Sequence, residues 1–398
     1  MKRNFCLPLL PIALFFLLLL PSCKAKSVEP ESSTAYTYRT PDQTGDGWAT
    51  ASAKDVGMRT AHFVTLMNDL LLQKPHNVHG IVVARNGKLV FEEYFSGEEM
   101  DIRNNAVQYV QKTFDRNTPH FQASASKSVA SLLIGIALDK GMLSGIDRTM
   151  LSYFPEHADL GTEQKNTITI SHMLTMSTGI PWDEGFPFDD PRNDLVAMVG
   201  SQDPIGFVLA KPLSASPGAQ FVYNSGTTTL LGEIIRRASG KALNIFADQY
   251  LFAPLGIPPQ PWVGCVLQPD VALASSGLYL TPREMAKIGQ LCLQKGDWNG
   301  NRIVSEDWMN QSTVLHIQIP SNQNPMSTLI TGYGFQWWVG TFAYGNTNTY
   351  FAAGLGGQYL FVFPTKNMVV VMTGGAYRTQ AYGIFYDIVN NYILPSLI

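Results

Sequence analysis

Cysteine is scarce in this chain, with four in 398 residues. That is too few for a disulfide framework, and no Cys/His spacing of the zinc-site type is present. The seven histidines are scattered, so neither a metal site nor a metal cofactor is expected. Charge is also sparse, at 15% of residues with a formal net charge of −3. Without a basic surplus there is no electrostatic footprint for nucleic acid. Sequence repeats of fixed period are missing, and after residue 48 no long Gly/Ser/Pro linker divides the chain. Apolar material is plentiful, at 45% of residues, which suffices for a large core.

The N-terminus reads differently from the rest. Lys2 and Arg3 precede the apolar run Leu7 to Leu20, which leads into Pro21-Ser22-Cys23. Pro8 and Pro11 interrupt the run and it is short for a spanning helix, so residues 1–22 read as an export signal. Cys23 follows a small residue, and the stretch resembles a bacterial lipoprotein signal whose cysteine becomes the lipidated N-terminus. Pro21 departs from the residue usual there, which leaves an uncleaved anchor or plain secretion as alternatives. Residues 23–47 are polar and lack apolar periodicity, the pattern of a flexible tether. On this reading the protein is exported and held at a membrane of the cell envelope by its lipid, with residues 48–398 as one unit of two lobes. Cys6 leaves with the signal. Cys292 lies on the apolar face of a helix expected over 282–293, which makes it a buried thiol rather than a nucleophile.

Chemistry is concentrated at Ser124-Ala125-Ser126-Lys127. Val129, Leu132, Leu133 and Ile136 follow with helical spacing and Gly141 supplies a stop. A three-residue offset on a helix brings side chains into contact, so the Lys127 amine can reach the Ser124 hydroxyl. The start of a helix adds free N–H groups and the positive end of its dipole, which favour an oxyanion. Composition alone yields a Ser-x-x-Lys roughly once or twice in a chain this long. Its placement at the start of a buried helix is what singles this pair out.

Around this helix the pattern is mixed. Ile81 to Arg85, Asn86-Gly87, and Lys88 to Phe95 read as a hairpin with a type I′ turn. Gln358 to Phe363 and Met368 to Met372 flank a second turn, and Tyr333 to Val339 reads as a further strand. Between them, Ser171 caps a short helix at 172–176, 226–238 is amphipathic, and 243–251 is another helical candidate. Thr281-Pro282-Arg283-Glu284 is a capping box with proline at the first helical position. The expected fold class is α/β (α+β): an antiparallel sheet built from both chain ends with flanking helices, and an inserted, mostly helical lobe over about 140–275.

Tyr223-Asn224-Ser225 precedes the helix at 226–238 and can aim a phenol and a hydroxyl into one cleft, where the phenol could relay a proton. A core tyrosine beside a capping serine is the plainer reading. With Ser124-x-x-Lys127 and Tyr223-Asn224-Ser225 in chain order, the sequence resembles the serine β-lactamase and penicillin-binding-protein-like hydrolases, on the class C-like esterase and amidase branch that includes 6-aminohexanoate dimer hydrolases. The likeness extends through Ile170 to Gly179, Ser275 to Thr281 and Gly354 to Tyr359. It implies the β-lactamase-like fold, Ser124 as the acylated nucleophile, Lys127 as proton acceptor and Tyr223 as relay. It further implies an oxyanion hole from the Ser124 and Leu355 backbones.

Where β-lactam-binding families carry a cation and a hydroxyl before a glycine, this chain has Ala352-Ala353-Gly354-Leu355. The anchor for a substrate carboxylate is therefore absent, which favours small-molecule esters or amides that lack one. Trp182, Ser225, Gly354 and Gly356 are the expected substrate contacts, with the aromatic and acidic segment 180–190 as a rim. Two alternatives stay open. One is a penicillin-binding D-alanyl-D-alanine peptidase anchored through Arg378 or Lys366, and the other is a non-catalytic envelope-binding module.

Overall fold

Asn86 and Gly87 both take left-handed φ angles, 52° and 74°, the geometry a type I′ turn demands. They join strands Val78–Arg85 and Lys88–Tyr94, as the Asn-Gly dipeptide predicts. In the computed structural model, which describes residues 35–72, 76–103, 107–188, 190–324, 326–378 and 383–398, this hairpin enters an eight-stranded sheet. The strand order is Ala49–Thr50, Lys88–Tyr94, Val78–Arg85, Met368–Gly374, Gln358–Phe363, Thr347–Gly354, Trp338–Phe342 and Ile330–Tyr333. Every pairing is antiparallel except that of the two-residue edge strand Ala49–Thr50. The sheet thus joins the two ends of the chain, with Val371 opposite Val82.

The central strands are buried on both faces, so successive residues serve different cores. Val82, Ala84, Leu360, Val369 and Val371 face a core shared with helices Ser126–Asp139 and Pro282–Leu293. Ile81, Val83, Phe361, Val370 and Met372 face the helices Thr60–Leu72 and Gly383–Ile388. Phe63 stacks on Phe91 with centroids 4.5 Å apart. Helix Pro282–Leu293 begins at the expected Thr281/Glu284 capping box. A Cβ on its Gly289 would come within 2.5 Å of Leu360 and Val369, so glycine there permits close helix-to-sheet packing. Between 140 and 275 the described residues form helices and turns with no ladder strand.

Several details differ from the sequence expectation. Tyr333 to Val339 is a reversal between two strands, because Gln336 takes a φ of 64° and its amide donates to Met173 O and Leu174 O at 3.0 Å each. The short helix is Ile170–Leu174, capped by Thr169 rather than Ser171. Helix Leu243–Ala247 passes into a π turn at Asp248–Phe252. A further hairpin, Ser96–Asp101 with Gln108–Thr113, was not anticipated, since its polar strands carry little apolar alternation.

The folded body also begins earlier than residue 48. Tyr36 N donates to Asn68 Oδ1 at 2.9 Å and Tyr38 OH to Val90 O at 2.6 Å. Buried Arg283 binds Asp46 Oδ2 at 2.9 Å and Asp42 O at 3.0 Å. Residues 36–47 are therefore packed rather than free, held by an arginine whose charge needs those partners once buried. The export signal, Cys23 and the tether up to residue 34 lie outside the described residues. Cys265 and Cys292 are both buried and unpaired, and burial pushes the Cys265 thiol up to about 12.

Candidate active site

From Phe121 through Ala137 every residue is buried except Ser124, which is half-buried. It stands in the 3₁₀ turn Ala123–Ala125, directly ahead of helix Ser126–Asp139. The turn is strained, since Ala123 holds a φ of 44°, a conformation that costs a residue with a Cβ about 1–3 kcal/mol. A dense set of hydrogen bonds offsets this. Ser126 Oγ donates to Ala123 O at 2.7 Å, and Gln122 Nε2 donates to His120 O and Leu280 O at 2.9 Å each. Gly354 lies against the same turn, where a Cβ would be 2.3 Å from Gln122 O.

Lys127 Nζ lies 2.9 Å from Ser124 Oγ and 3.1 Å from Ser275 O. The side chain is 2% exposed. Burial penalises its charged form and pulls the amine down from 10.5 to about 8, with Glu184 pulling weakly the other way. The amine also sits 4.7 Å above the Tyr223 ring centroid. Tyr223 lines the same cavity wall as Ser124, and burial pushes its phenol far up and keeps it protonated. Its ring stacks on Trp338 at 5.7 Å. Asn224 caps helix Ser225–Ser239 by accepting from Thr227 N, which fixes the backbone beside Tyr223. The serine, the amine and the phenol thus converge at one point.

Two cavities meet at Ser124. One, of about 330 Å³, is walled chiefly by aliphatic side chains. The other, of about 800 Å³, holds Trp182, Tyr223, Trp338, Phe351 and Tyr359. Glu184 and Leu355 border both. No Lys or Arg stands among the described residues lining either one.

The residues singled out from sequence fall into two groups. Ser124, Trp182, Tyr223, Gly354 and Leu355 line the cleft, with Lys127 beneath it. Ser225 and Gly356 do not line it. Ser225 is fully buried at the head of its helix, and its Oγ has no hydrogen-bond partner among the described residues. Gly356, at φ +88°, lies against the Tyr377 ring, which a Cβ would strike at 2.3 Å. Arg378 rests 4.0 Å from the Tyr109 centroid and 3.7 Å from Glu98. Lys366 sits in the turn at the far end of the hairpin from Gly354.

Sequence reasoning passed over Glu184. Its Oε1 accepts from Ser225 N at 3.0 Å and from the Trp182 indole at 2.5 Å. It thereby ties the rim segment to the helix behind Tyr223. The carboxylate among aromatics at 182–188 was the available signal, but nothing local distinguished it from Asp183.

The β-lactamase family pattern matches residues 72–378. The 6-aminohexanoate-dimer hydrolase of Paenarthrobacter ureafaciens is 25% identical over 279 residues, covering 67% of this chain and 68% of that one. Penicillin-binding protein 4* of Bacillus subtilis is 26% identical over 304 residues, 69% of this chain, which spans 62% of that longer protein. Among solved structures, EstCE1, a hydrolase with promiscuous acyltransferase activity, superposes with a TM-score of 0.63 at 16% identity, covering 83% of this chain and 98% of that one. With the fold, the converging serine, lysine and tyrosine, and a family match over most of its length, this chain belongs to the β-lactamase family.

Proposed function

We propose that this hydrolase cleaves esters or amides through an acyl-enzyme on Ser124. The observation that carries the reading is the buried amine of Lys127, 2.9 Å from Ser124 Oγ, where burial pulls it down to about 8. A base poised near neutrality is what activating a serine hydroxyl requires. Neutral Lys127 takes the Ser124 proton as Oγ attacks the carbonyl carbon. The backbone N–H groups of Ser124 and Leu355 receive the developing oxyanion, each such donor contributing about 3–4 kcal/mol. Tyr223 and Lys127 pass the proton to the departing oxygen or nitrogen. Water then attacks the acyl-enzyme and regenerates the hydroxyl. Incubation with a fluorophosphonate probe tests the assignment: wild-type protein should be labelled and Ser124→Ala should not, whereas full labelling of the variant removes Ser124 from its role.

A peptidase acting on substrates with a free carboxylate is less well supported. Its expected anchors, Arg378 and Lys366, are absent from the cleft walls, and among the described residues the acidic or basic side chains lining them are Asp183 and Glu184. Stable acylation by a fluorescent penicillin would favour that alternative. A purely binding module would leave the strained turn and the depressed amine unexplained, and it would show no turnover of p-nitrophenyl esters.

We further propose that residues 1–22 direct export and that Cys23 carries the lipid, placing the enzyme at the envelope membrane. The charged start, the apolar run and Ser22-Cys23 support this. Expressed full-length protein should partition into detergent and Cys23→Ser should not; equal partitioning of the two would remove Cys23 from the anchor.

A further inference from the structure

The two cavities give the cleft a direction. An alkoxide or amide nitrogen must receive a proton as it departs, so the leaving group of such a substrate lies on the side of the proton donor. Tyr223 lines the 800 Å³ aromatic cavity and is absent from the walls of the 330 Å³ one. The leaving group accordingly occupies the aromatic side, and the acyl chain runs into the smaller cavity. Walls there come from Met100, Ile102, Phe121, Leu195, Val199 and Leu273. Among the described residues lining this cavity, the polar side chains are Ser124, Ser276 and Glu184, all of them outside this apolar set.

We infer that the smaller cavity is an acyl-chain site and that the substrates are esters or amides of neutral, medium-chain fatty acids. At about 30 Å³ for a water-sized group, 330 Å³ accommodates a chain of roughly six to ten carbons. This rests on the serine-hydrolase reading above. The Oγ–acyl bond forms as the bond from acyl carbon to leaving oxygen or nitrogen breaks, with the Ser124 proton going to the leaving atom. Water then releases the free fatty acid. The described residues lining the smaller cavity are mostly apolar and include no Lys or Arg, so a tail ending in carboxylate would be desolvated there without a partner and is disfavoured.

The test is kcat/KM of the wild-type protein across p-nitrophenyl esters from acetate to dodecanoate, beside fluorophosphonate labelling. Each buried methylene should raise kcat/KM about fourfold until the cavity is full, after which the profile falls. Val199→Trp, which narrows the cavity, should lower the octanoate-to-acetate ratio at least about tenfold. Met326 lines the larger, aromatic cavity and not the smaller one, so Met326→Trp should leave that ratio unchanged while altering dependence on leaving-group size. A flat wild-type profile with labelling intact overturns the acyl assignment and leaves the hydrolase reading standing. So does an octanoate-to-acetate ratio that follows Met326→Trp instead of Val199→Trp. Failure of Ser124 to label or turn over any ester takes both readings down together.

Discussion

Two buried basic clusters lie beside the strained turn that holds Ser124: one opens on the two cavities, and described residues close over the other. On one side, His79 Nδ1 and His120 Nε2 are 2.9 Å apart, His79 stacks on Phe114, and Glu99 binds Lys112 while accepting from Phe121 N at 3.0 Å. Gly97 and Gly375 close over His79, where a Cβ on either would be within 2.6 Å of its Nε2. On the other side, Lys127 is just as deeply buried, but its partner hydroxyl is half-open to two cavities. Desolvation depresses the basic groups in both places. Depressing a pKa is therefore not enough for chemistry; the neutral base must also face a group that substrate can reach.

Substitutions can break this contrast, and the largest effect is expected at its open end. Ser124→Ala should lower kcat by at least about 10⁴-fold, measured on any ester the wild-type protein turns over. Lys127→Ala should cost about 10³-fold, and Tyr223→Phe, which keeps the ring beneath the amine, about 10²-fold. If Tyr223→Phe turned over at the wild-type rate, the phenol would have no part in proton transfer. At the closed end, His79→Leu removes the partner of buried His120 and should cost about 1–3 kcal/mol of stability. That loss would be seen as a lower Tm, with Ser124 still labelled at low temperature.

Acidity sharpens the comparison most finely. Activity should rise with pH through about 8, because the neutral form of Lys127 is the active one. Stability should follow the histidines instead. Both are depressed from 6.5 to about 3 in the fold, so the unfolded chain binds their protons more readily. The stability is thus complete above about 6.5 and is lost as pH falls from there toward 3. Thermal denaturation from pH 7 to 4 checks this, and a flat Tm together with a flat rate profile between pH 6 and 9 would erase the distinction.

The open cluster was legible in the sequence because its chemistry is local: Ser124 and Lys127 are three residues apart, and Tyr223 precedes a recognisable helix. The Asn86-Gly87 hairpin and the Thr281 cap were legible for the same reason. The closed cluster was not, since His79 and His120 are 41 positions apart and neither carries a local pattern. Glu184 escaped because its meaning lies in a bond to Ser225 N, 41 residues away. Gln336 escaped because a left-handed glutamine is stabilised by carbonyls some 160 residues earlier. Ser225 and Gly356 were read as contacts because they adjoin true cleft residues, but the first turn of a helix and a tight reversal aim them elsewhere.

Gly354 abuts the carbonyl of Gln122 and the Ala125 amide with no room for even a methyl group, so any side chain at 354 would press on the turn that carries Ser124. Anyone seeking to retune the enzyme toward new esters should therefore leave that glycine alone. The productive choices are its neighbours Ala353 and Leu355, whose side chains already line the groove. There the shape of the groove can change while the position of the nucleophile is kept.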